Sequence, residues 1–205
     1  MRIFSSATAP NPRRVKIYLA EKGIEITNVD LDLKEGDNLT DEFRGKNLFA
    51  KVPVLELDDG TCISESMAIC RYFEMLHPEP SLFGKTPLEV ATIEMWQRQV
   101  DLYLIVYVGF AFRHLTGYFS DRETVVKEWG EESLKRALAT FKLLENRLAG
   151  SRFLAGDNFS IADITAFCAV DFAKLVKYKV DESQPNLLRW YKEVSSRPST
   201  QTQEI

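Results

Sequence analysis

The hydrophobic pattern changes once along the chain, at a proline- and glycine-rich stretch that ends near residue 87. Before this stretch, short alternating runs typical of strands are interleaved with helical runs. After it, every apolar pattern has the helical period. The residues that interrupt regular structure there are Pro78, Pro80, Gly84 and Pro87. We therefore predict two domains, residues 1–78 and 88–205, joined by a linker at 79–87.

The first domain is predicted to follow the order βαβ and then ββα. A strand at residues 2–4 precedes a helix with Asn11 as N-cap and Pro12 at its first position. Gly23 ends that helix. The remaining elements are an alternating strand through Val29, Leu31 and Leu33, a polar loop, a hairpin around Asp58-Asp59-Gly60, and a helix from Ser66.

The second domain is predicted to be a bundle of helices. A long aromatic-rich helix runs from Leu88 to about Phe119 with a bend near Gly109, and further helices cover residues 134–148, 161–176 and 185–194. Residues 161–176 are apolar nearly all round, as in a helix at the centre of a bundle. Ser160 and Asp163 have the spacing of a reciprocal capping box, which we interpret as a folding device without a catalytic role.

Composition and charge exclude several classes of function. The formal charge is -4 with both signs intermixed, which argues against nucleic acid as a partner. No apolar run approaches the roughly 20 residues needed to span a bilayer, and the first residues do not resemble a signal peptide. Two histidines without a Cys/His cluster predict no metal site. Cys62, Cys70 and Cys168 lie in apolar segments without a CxxC pair, so buried thiols and a cytoplasmic location are expected.

Two short motifs together suggest a site for a peptide. A proline that opens a strand, at Val52-Pro53, leaves the backbone of Val52 available to a ligand, above all if the bond is cis. Ser66 at a helix start suits a carboxylate, and the neighbouring Glu65 suits an ammonium. A carboxylate beside an ammonium is the α-amino acid end of a peptide. The alternative is structural: a strand-edge proline and a Ser/Glu helix cap.

The sequence resembles the cytosolic glutathione transferases along essentially its whole length. The resemblance is carried, in order, by PNPRRV (10–15), LAEKG (19–23), KVPVLELDDG (51–60), SESMAI (64–69) and FLAGDNFSIADI (153–164). FRH (112–114) and GKTPLE (84–89) are similar to the fungal glutathione transferase 2 class and its bacterial relatives. This family implies a thioredoxin-like domain followed by an all-helical domain.

The resemblance also implies a set of glutathione contacts. The backbone of Val52, before Pro53, would pair with the cysteinyl unit, while Glu65 and Ser66 would bind the γ-glutamyl end. Lys51 and Asn38 would lie at the glycine carboxylate, although relatives often have histidine where Asn38 stands. By sequence alone, Lys51 is a solvated surface lysine.

The group that stabilises the glutathione thiolate is not evident from the sequence. The serine of the family falls here on Ala9, which has no donor, so Thr8 or the N–H groups near Asn11 are the candidates; Ser5 and Ser6 lie further away. Thr8 is alternatively a loop residue or a helix cap. Lowering a thiol pKa from about 8.5 by two units needs about 2.7 kcal/mol. A helix N-terminus supplies about 0.3–1 kcal/mol and up to about 2 in sheltered sites, so a second donor is needed.

The long helix offers further candidates for catalysis and substrate binding. In the branch named above, residues of this helix and a bound water are thought to assist the thiol, which points here to His114, with Arg113 as a source of positive charge. Tyr107 and Phe110, with Arg113, are predicted to line the pocket for the electrophile. Isolated histidines and aromatic side chains at these spacings are also common in helix cores.

These observations predict an enzyme that conjugates glutathione, as co-substrate and without another cofactor, to a hydrophobic electrophile. A homodimer follows from the resemblance alone. Two alternatives stay open: a transferase-like interaction module without catalysis, which the missing serine favours, and another glutathione-dependent reaction such as peroxide reduction or isomerisation. The absence of cysteine near residues 5–12 argues against glutaredoxin-like disulfide chemistry.

Overall fold

The computed structural model describes residues 1–201 of the 205-residue chain. The predicted second domain extends to residue 205, so its last four positions lie outside the described residues. The chain forms two compact units, residues 1–80 and residues 81–201. Among these residues, no helix is both long enough and apolar enough to cross a bilayer.

The first unit contains a four-stranded mixed sheet in the order β2-β1-β3-β4. Its strands are β1 (Arg2–Ser5), β2 (Thr27–Asp30), β3 (Val54–Glu56) and β4 (Cys62–Ser64). β1 pairs with β2 in parallel and with β3 antiparallel, and β3 and β4 form the predicted hairpin. The expected βαβ-ββα order is therefore confirmed. β2 is shorter than predicted, because Leu31 and Leu33 lie beyond its last paired residue, Asp30.

Three helices complete the first unit: α1 (Pro10–Glu21), α2 (Asp41–Lys46) and α3 (Ser66–Leu76). The prediction of Asn11 as the N-cap of α1 is wrong. Ala9 is the N-cap and Pro10 is the first helical residue, since the fixed φ of proline suits that position. Gly23 follows α1 with φ +64°, as expected of a residue that ends a helix.

Helix α2 forms from six residues of the segment for which the sequence pattern predicts a polar loop. Thr40 caps it by accepting a hydrogen bond from the N–H of Phe43 at 3.3 Å. Phe43 packs with Phe4 and Val54 into a small apolar cluster. Since only this one side chain of α2 is buried, the sequence has no apolar stripe by which the helix could be recognised.

The second unit contains six α-helices within residues 81–201: α4 (Pro87–Val100), α5 (Val106–Thr116), α6 (Lys127–Leu148), α7 (Ile161–Phe172), α8 (Pro185–Ser195) and α9 (Pro198–Gln201). Helix α5 is continuous through Gly109, where the sequence predicts a bend. The departure from α-helical geometry is a π-helical segment at Asp101–Ile105 between α4 and α5. Thr140 donates to the carbonyl of Tyr103 within that segment at 2.7 Å, which satisfies a group that the wider turn exposes.

Helix α7 lies at the centre of the second unit, and all twelve of its residues are buried. The predicted capping box is confirmed, since Asp163 Oδ2 accepts from the N–H and the hydroxyl of Ser160, both at 3.0 Å. The other oxygen accepts from the N–H of Leu154 and from Trp190 Nε1, both at 2.9 Å. Burial raises the pKa of the Asp163 carboxyl, while these four hydrogen bonds act in the opposite direction.

The three thiols are free. Cys70 and Cys168 are buried as expected, whereas Cys62, on the edge strand β4, is partly exposed. The expectation that all three are buried is therefore wrong for Cys62, because an edge strand is covered on fewer sides than a helix inside the core.

Candidate active site

The start of α3 has an unusual backbone. Glu65 is its N-cap, is exposed, and has φ 71° and ψ 116°, a conformation that residues with a Cβ rarely adopt. Ser66, the first helical residue, is only 5 % exposed. No side chain caps this helix start. Strained residues of this kind persist only where the surrounding structure holds them, and they concentrate at functional sites.

A buried arginine lies behind Ser66. Arg14 of α1 is 2 % exposed and donates from Nη1 to Ser66 Oγ at 3.2 Å. The positive charge of this guanidinium adds to the positive potential of the helix N-terminus at Ser66. The role of Arg14 is not evident from the sequence motifs. The available signal was its place four residues before Tyr18, on the helix face that carries the apolar stripe.

The Val52-Pro53 motif lies between α2 and β3. The peptide bond between the two residues is cis. Lys51 is exposed, Val52 is half-buried and Pro53 is buried. Asn38, on a 3₁₀ turn before α2, donates from Nδ2 to the carbonyl of Ala50 at 2.7 Å. The same amide nitrogen has a second N–H.

The link between β1 and α1 carries the candidate thiol donors. Thr8 is exposed in the turn that precedes Ala9, while Ser5 and Ser6 are both buried. Ser5 Oγ donates to Asn28 Oδ1 on β2 at 2.7 Å. Positions 10 and 12 are prolines, so the first turn of α1 offers one backbone N–H ahead of the first intrahelical donor, that of Asn11.

In the second unit, predicted residues of α5 form a cluster with α6. Tyr107 and Phe110 contact the ring of Trp129, with ring centroids 6.4 and 5.8 Å apart respectively. His114 stacks against Phe110 at 6.4 Å. Arg136 donates to the hydroxyl of Tyr107 at 3.0 Å and lies over the rings of Tyr107 and Trp129. The roles of Trp129 and Arg136 were not predicted, because contacts between side chains 19 to 29 positions apart on two helices leave no local pattern.

His114 has a hydrogen bond that assigns its tautomer. Its Nδ1 accepts from the N–H of Val126, the residue before α6, at 3.3 Å. In the neutral imidazole, the proton then resides on Nε2, which is available as a donor. The close packing beneath it depends on Gly130, because a Cβ there would come within 3.0 Å of His114 Cβ.

Arg113 is paired with a carboxylate in the same unit, that of Glu123. Its guanidinium forms an ion pair with Glu123 and lies over the ring of Phe119 at 4.9 Å. Both charged side chains are about one third exposed. Any ligand that uses Arg113 would therefore have to share it with Glu123.

Within the first unit, the structure brings Ser66 together with Arg14, and Asn38 together with the segment that leads to Lys51. Within the second unit, Tyr107, Phe110 and His114 share one cluster. No group of three or more His, Cys, Asp or Glu side chains in residues 1–201 is arranged to hold a metal ion.

Comparison with known proteins gives this arrangement a family. A model described as "Glutathione S-transferase, N-terminal domain" matches residues 8–76, and one described as "Glutathione S-transferase, C-terminal domain" matches residues 109–198. The chain belongs to the glutathione S-transferase family, and its mixed sheet followed by a helical unit is the fold of that family.

Individual relatives indicate which branch of the glutathione S-transferase family this chain resembles. The chain is 39% identical over 203 residues to Glutathione S-transferase 2 of Saccharomyces cerevisiae, covering 97% of this chain and 87% of the yeast protein. A solved glutathione S-transferase domain-containing protein of Marinobacter aquaeolei VT8 is 40% identical with a TM-score of 0.93, covering 98% and 100% of the two chains. The Glutathione S-transferase class Gtt2 of Vibrio parahaemolyticus is 42% identical with a TM-score of 0.88, covering 98% and 96%. The similarity to the fungal transferase 2 class and its bacterial relatives is thereby confirmed.

Proposed function

We propose that this transferase binds glutathione on its first unit and stabilises the thiolate for attack on a hydrophobic electrophile. The observation that carries the proposal is the start of α3. A helix N-terminus without a side-chain cap is backed by the buried guanidinium of Arg14, so positive potential is concentrated where a carboxylate would bind. The exposed carboxylate of Glu65 stands beside it for an ammonium.

The rest of the peptide would bind through the segment before β3. Val52 supplies backbone groups for the cysteinyl unit, and Lys51 supplies a cation for the glycine carboxylate. Asn38 contributes through the loop that it holds, and its second N–H is a further donor. Such contacts orient the thiol, and orientation together with electrostatic stabilisation of the anion gives the rate gain.

Stabilisation of the thiolate needs a donor beyond the start of α1. Lowering the thiol pKa by two units requires roughly 2.7 kcal/mol. The N–H of Asn11 and the dipole of α1 together supply less than this. A hydrogen bond from Thr8 to the charged sulfur would add about 1.5–3 kcal/mol. His114, whose Nε2 carries a proton, is the second candidate.

The ultraviolet absorbance of bound glutathione, followed as pH is varied, tests the proposal. We expect a thiol pKa well below that of free glutathione. Thr8→Ala should raise the bound pKa if Thr8 is the donor, and His114→Ala should raise it if the imidazole is. Binding without a pKa shift would point to another glutathione-dependent function, and no binding would favour the interaction-module alternative.

The electrophile is proposed to contact Tyr107 and Phe110, with Arg113 beside them. Phe110 is 37% exposed, so its ring can take up an apolar substrate. Phe110→Ala should raise KM for an aromatic electrophile while leaving KM for glutathione unchanged. Equal changes in both constants would remove Phe110 from the substrate site.

We also propose that the enzyme is a cytoplasmic homodimer. The support is the membership of the transferase family and, for the compartment, the three free thiols. Light scattering coupled to size-exclusion chromatography would decide the oligomeric state: a mass near 23.5 kDa would contradict the dimer.

A further inference from the structure

Residues 47–51, which link α2 to β3, are held by a side-chain amide. Asn47 is 6 % exposed, accepts from the N–H of Phe49 at 3.1 Å through Oδ1, and donates to the carbonyl of Lys51 at 2.8 Å through Nδ2. Its own carbonyl accepts from the N–H of Ala50 at 2.8 Å. One buried residue therefore fixes the backbone of the next four positions.

A second amide holds the same link. Asn38 donates to the carbonyl of Ala50, which is 4 % exposed and has φ 51°. A left-handed conformation costs a residue with a Cβ about 1–2 kcal/mol. Two hydrogen bonds hold Ala50 in this conformation. Its N–H donates to the Asn47 carbonyl, and its carbonyl accepts from the Asn38 amide.

The bond from Asn47 to the Lys51 carbonyl sets the direction of the next N–H. The cis bonds among residues 1–201 are at Val52-Pro53 and Glu79-Pro80, so the Lys51-Val52 bond is trans. In a planar trans peptide, the C=O and the following N–H point in opposite directions. The N–H of Val52 therefore points away from the Asn47 amide.

This N–H is not used by the sheet. Val52 precedes β3, whose pairing with β1 ends at Val54 opposite Phe4. Within the described part of the chain, no backbone carbonyl accepts a hydrogen bond from Val52. The fold thus fixes the direction of this N–H and, within residues 1–201, provides no acceptor for it. A ligand that presents a peptide carbonyl can accept a hydrogen bond from it.

We propose that Asn47 is a positioning residue for glutathione: by holding the Lys51 carbonyl, it aims the Val52 N–H at the cysteinyl carbonyl. This inference rests on the proposed function, since it assigns a role within the same site. Asn47 touches no substrate. It acts through the peptide plane between Lys51 and Val52. Its loss therefore weakens the contact with the cysteinyl unit more than the contacts with the other parts of the ligand.

The test compares two variants by isothermal titration with glutathione, well below their thermal midpoints. Asn47→Asp keeps the acceptor for the Phe49 N–H but turns a carboxylate oxygen towards the Lys51 carbonyl. Asn47→Ala removes both side-chain contacts without adding charge. It provides the same binding measurement if the aspartate variant does not fold. We expect Kd for glutathione to rise about tenfold or more in both. In turnover assays, KM for glutathione should rise while KM for the electrophile stays constant.

Asn28→Asp is the matched control, because it makes the same substitution on β2 and keeps the acceptor oxygen for Ser5. It should bind glutathione as tightly as the wild type. If wild-type protein binds glutathione and the folded Asn47 variants bind it equally well, the inference is overturned while the proposed function stands. If the wild type does not bind, the proposed function itself has failed.

A truncated ligand separates Val52 from Lys51. γ-Glutamylcysteinamide retains the cysteinyl carbonyl as a neutral amide but lacks the glycine carboxylate that Lys51 is proposed to bind. The loss of affinity in the Asn47 variants should persist with this ligand. A loss confined to glutathione would mean that Asn47 acts through the Lys51 side chain, and would overturn the role assigned to the Val52 N–H.

Discussion

Helices α3 and α7 each begin with a serine and an acidic residue, and the two helix starts are built in opposite ways. At α7, the Asp163 carboxylate accepts four hydrogen bonds from groups of the same unit, two on each oxygen. At α3, Glu65 is exposed on a strained backbone and makes no side-chain cap, while Ser66 accepts from the buried Arg14. The same residue types thus stabilise a core in one unit and stay available to a ligand in the other.

The difference shows why a helix cap should be judged by its partners. A closed capping box satisfies the first N–H groups and contributes to stability. An open start leaves those donors unpaired, at a cost in stability that a bound anion can offset. Substitutions at α7 should therefore change stability, and substitutions at α3 should change glutathione binding.

The largest expected effect is on stability at α7. Asp163→Ala leaves the donors of Ser160, Leu154 and Trp190 without their acceptor in a buried site, so we expect a loss of about 3–5 kcal/mol in the free energy of unfolding, measured in urea. Asp157→Ala, an exposed aspartate in the preceding loop, is the control and should stay within about 0.5 kcal/mol of the wild type. A small loss for Asp163→Ala would show that the box at α7 is dispensable.

The two serines should give opposite results. Ser66→Ala is expected to raise Kd for glutathione about tenfold, because a hydroxyl and its link to Arg14 are lost at the proposed carboxylate site. Ser160→Ala should cost about 1–2 kcal/mol of unfolding free energy and leave the glutathione affinity of the folded protein unchanged. Calorimetry and urea titration on both variants check the pair; weaker binding in Ser160→Ala alone would contradict the comparison.

The smallest expected effect separates strain from charge at Glu65. Glu65→Gly removes the carboxylate and also relieves the unfavourable backbone, since glycine tolerates φ 71°. We expect the unfolding free energy to rise by about 1 kcal/mol while glutathione binding weakens. Glu65→Ala should weaken binding equally without the gain in stability. Lower stability in the glycine variant would mean that Glu65 is not strained.

Much of the fold was predictable because it rests on local patterns. The βαβ-ββα order follows from alternation and turn residues, and the buried helix α7 follows from its apolar composition and its capping box. The misplaced features lack such signals. Helix α2 buries a single residue, and the π-helical segment at 101–105 depends on a hydroxyl from α6, 37 positions away from the carbonyl it contacts.

The residues of the candidate site also fall into two groups, those with a local sequence signal and those without one. Glu65, Ser66 and the Val52-Pro53 pair were recognised because each motif is a few residues long. Arg14 and Asn47 were missed because their roles depend on contacts that sequence spacing does not reveal. Asn47 was invisible for a further reason: its importance is in the direction of a peptide plane, and no residue pattern encodes that direction.

The sequence by itself therefore determined the order of the elements, the family, and which short motifs could meet a peptide. Only the tertiary structure decided that Arg14 lies behind Ser66, that His114 accepts from Val126 and that Asn47 holds the Lys51 carbonyl. For Arg14 and His114 the physical reason is range: periodicity, caps and turns act over three to seven residues, whereas these contacts join residues 52 and 12 positions apart. Asn47 and Lys51 are only four positions apart, and there the reason is that their bond fixes the direction of a peptide plane, which no residue pattern encodes.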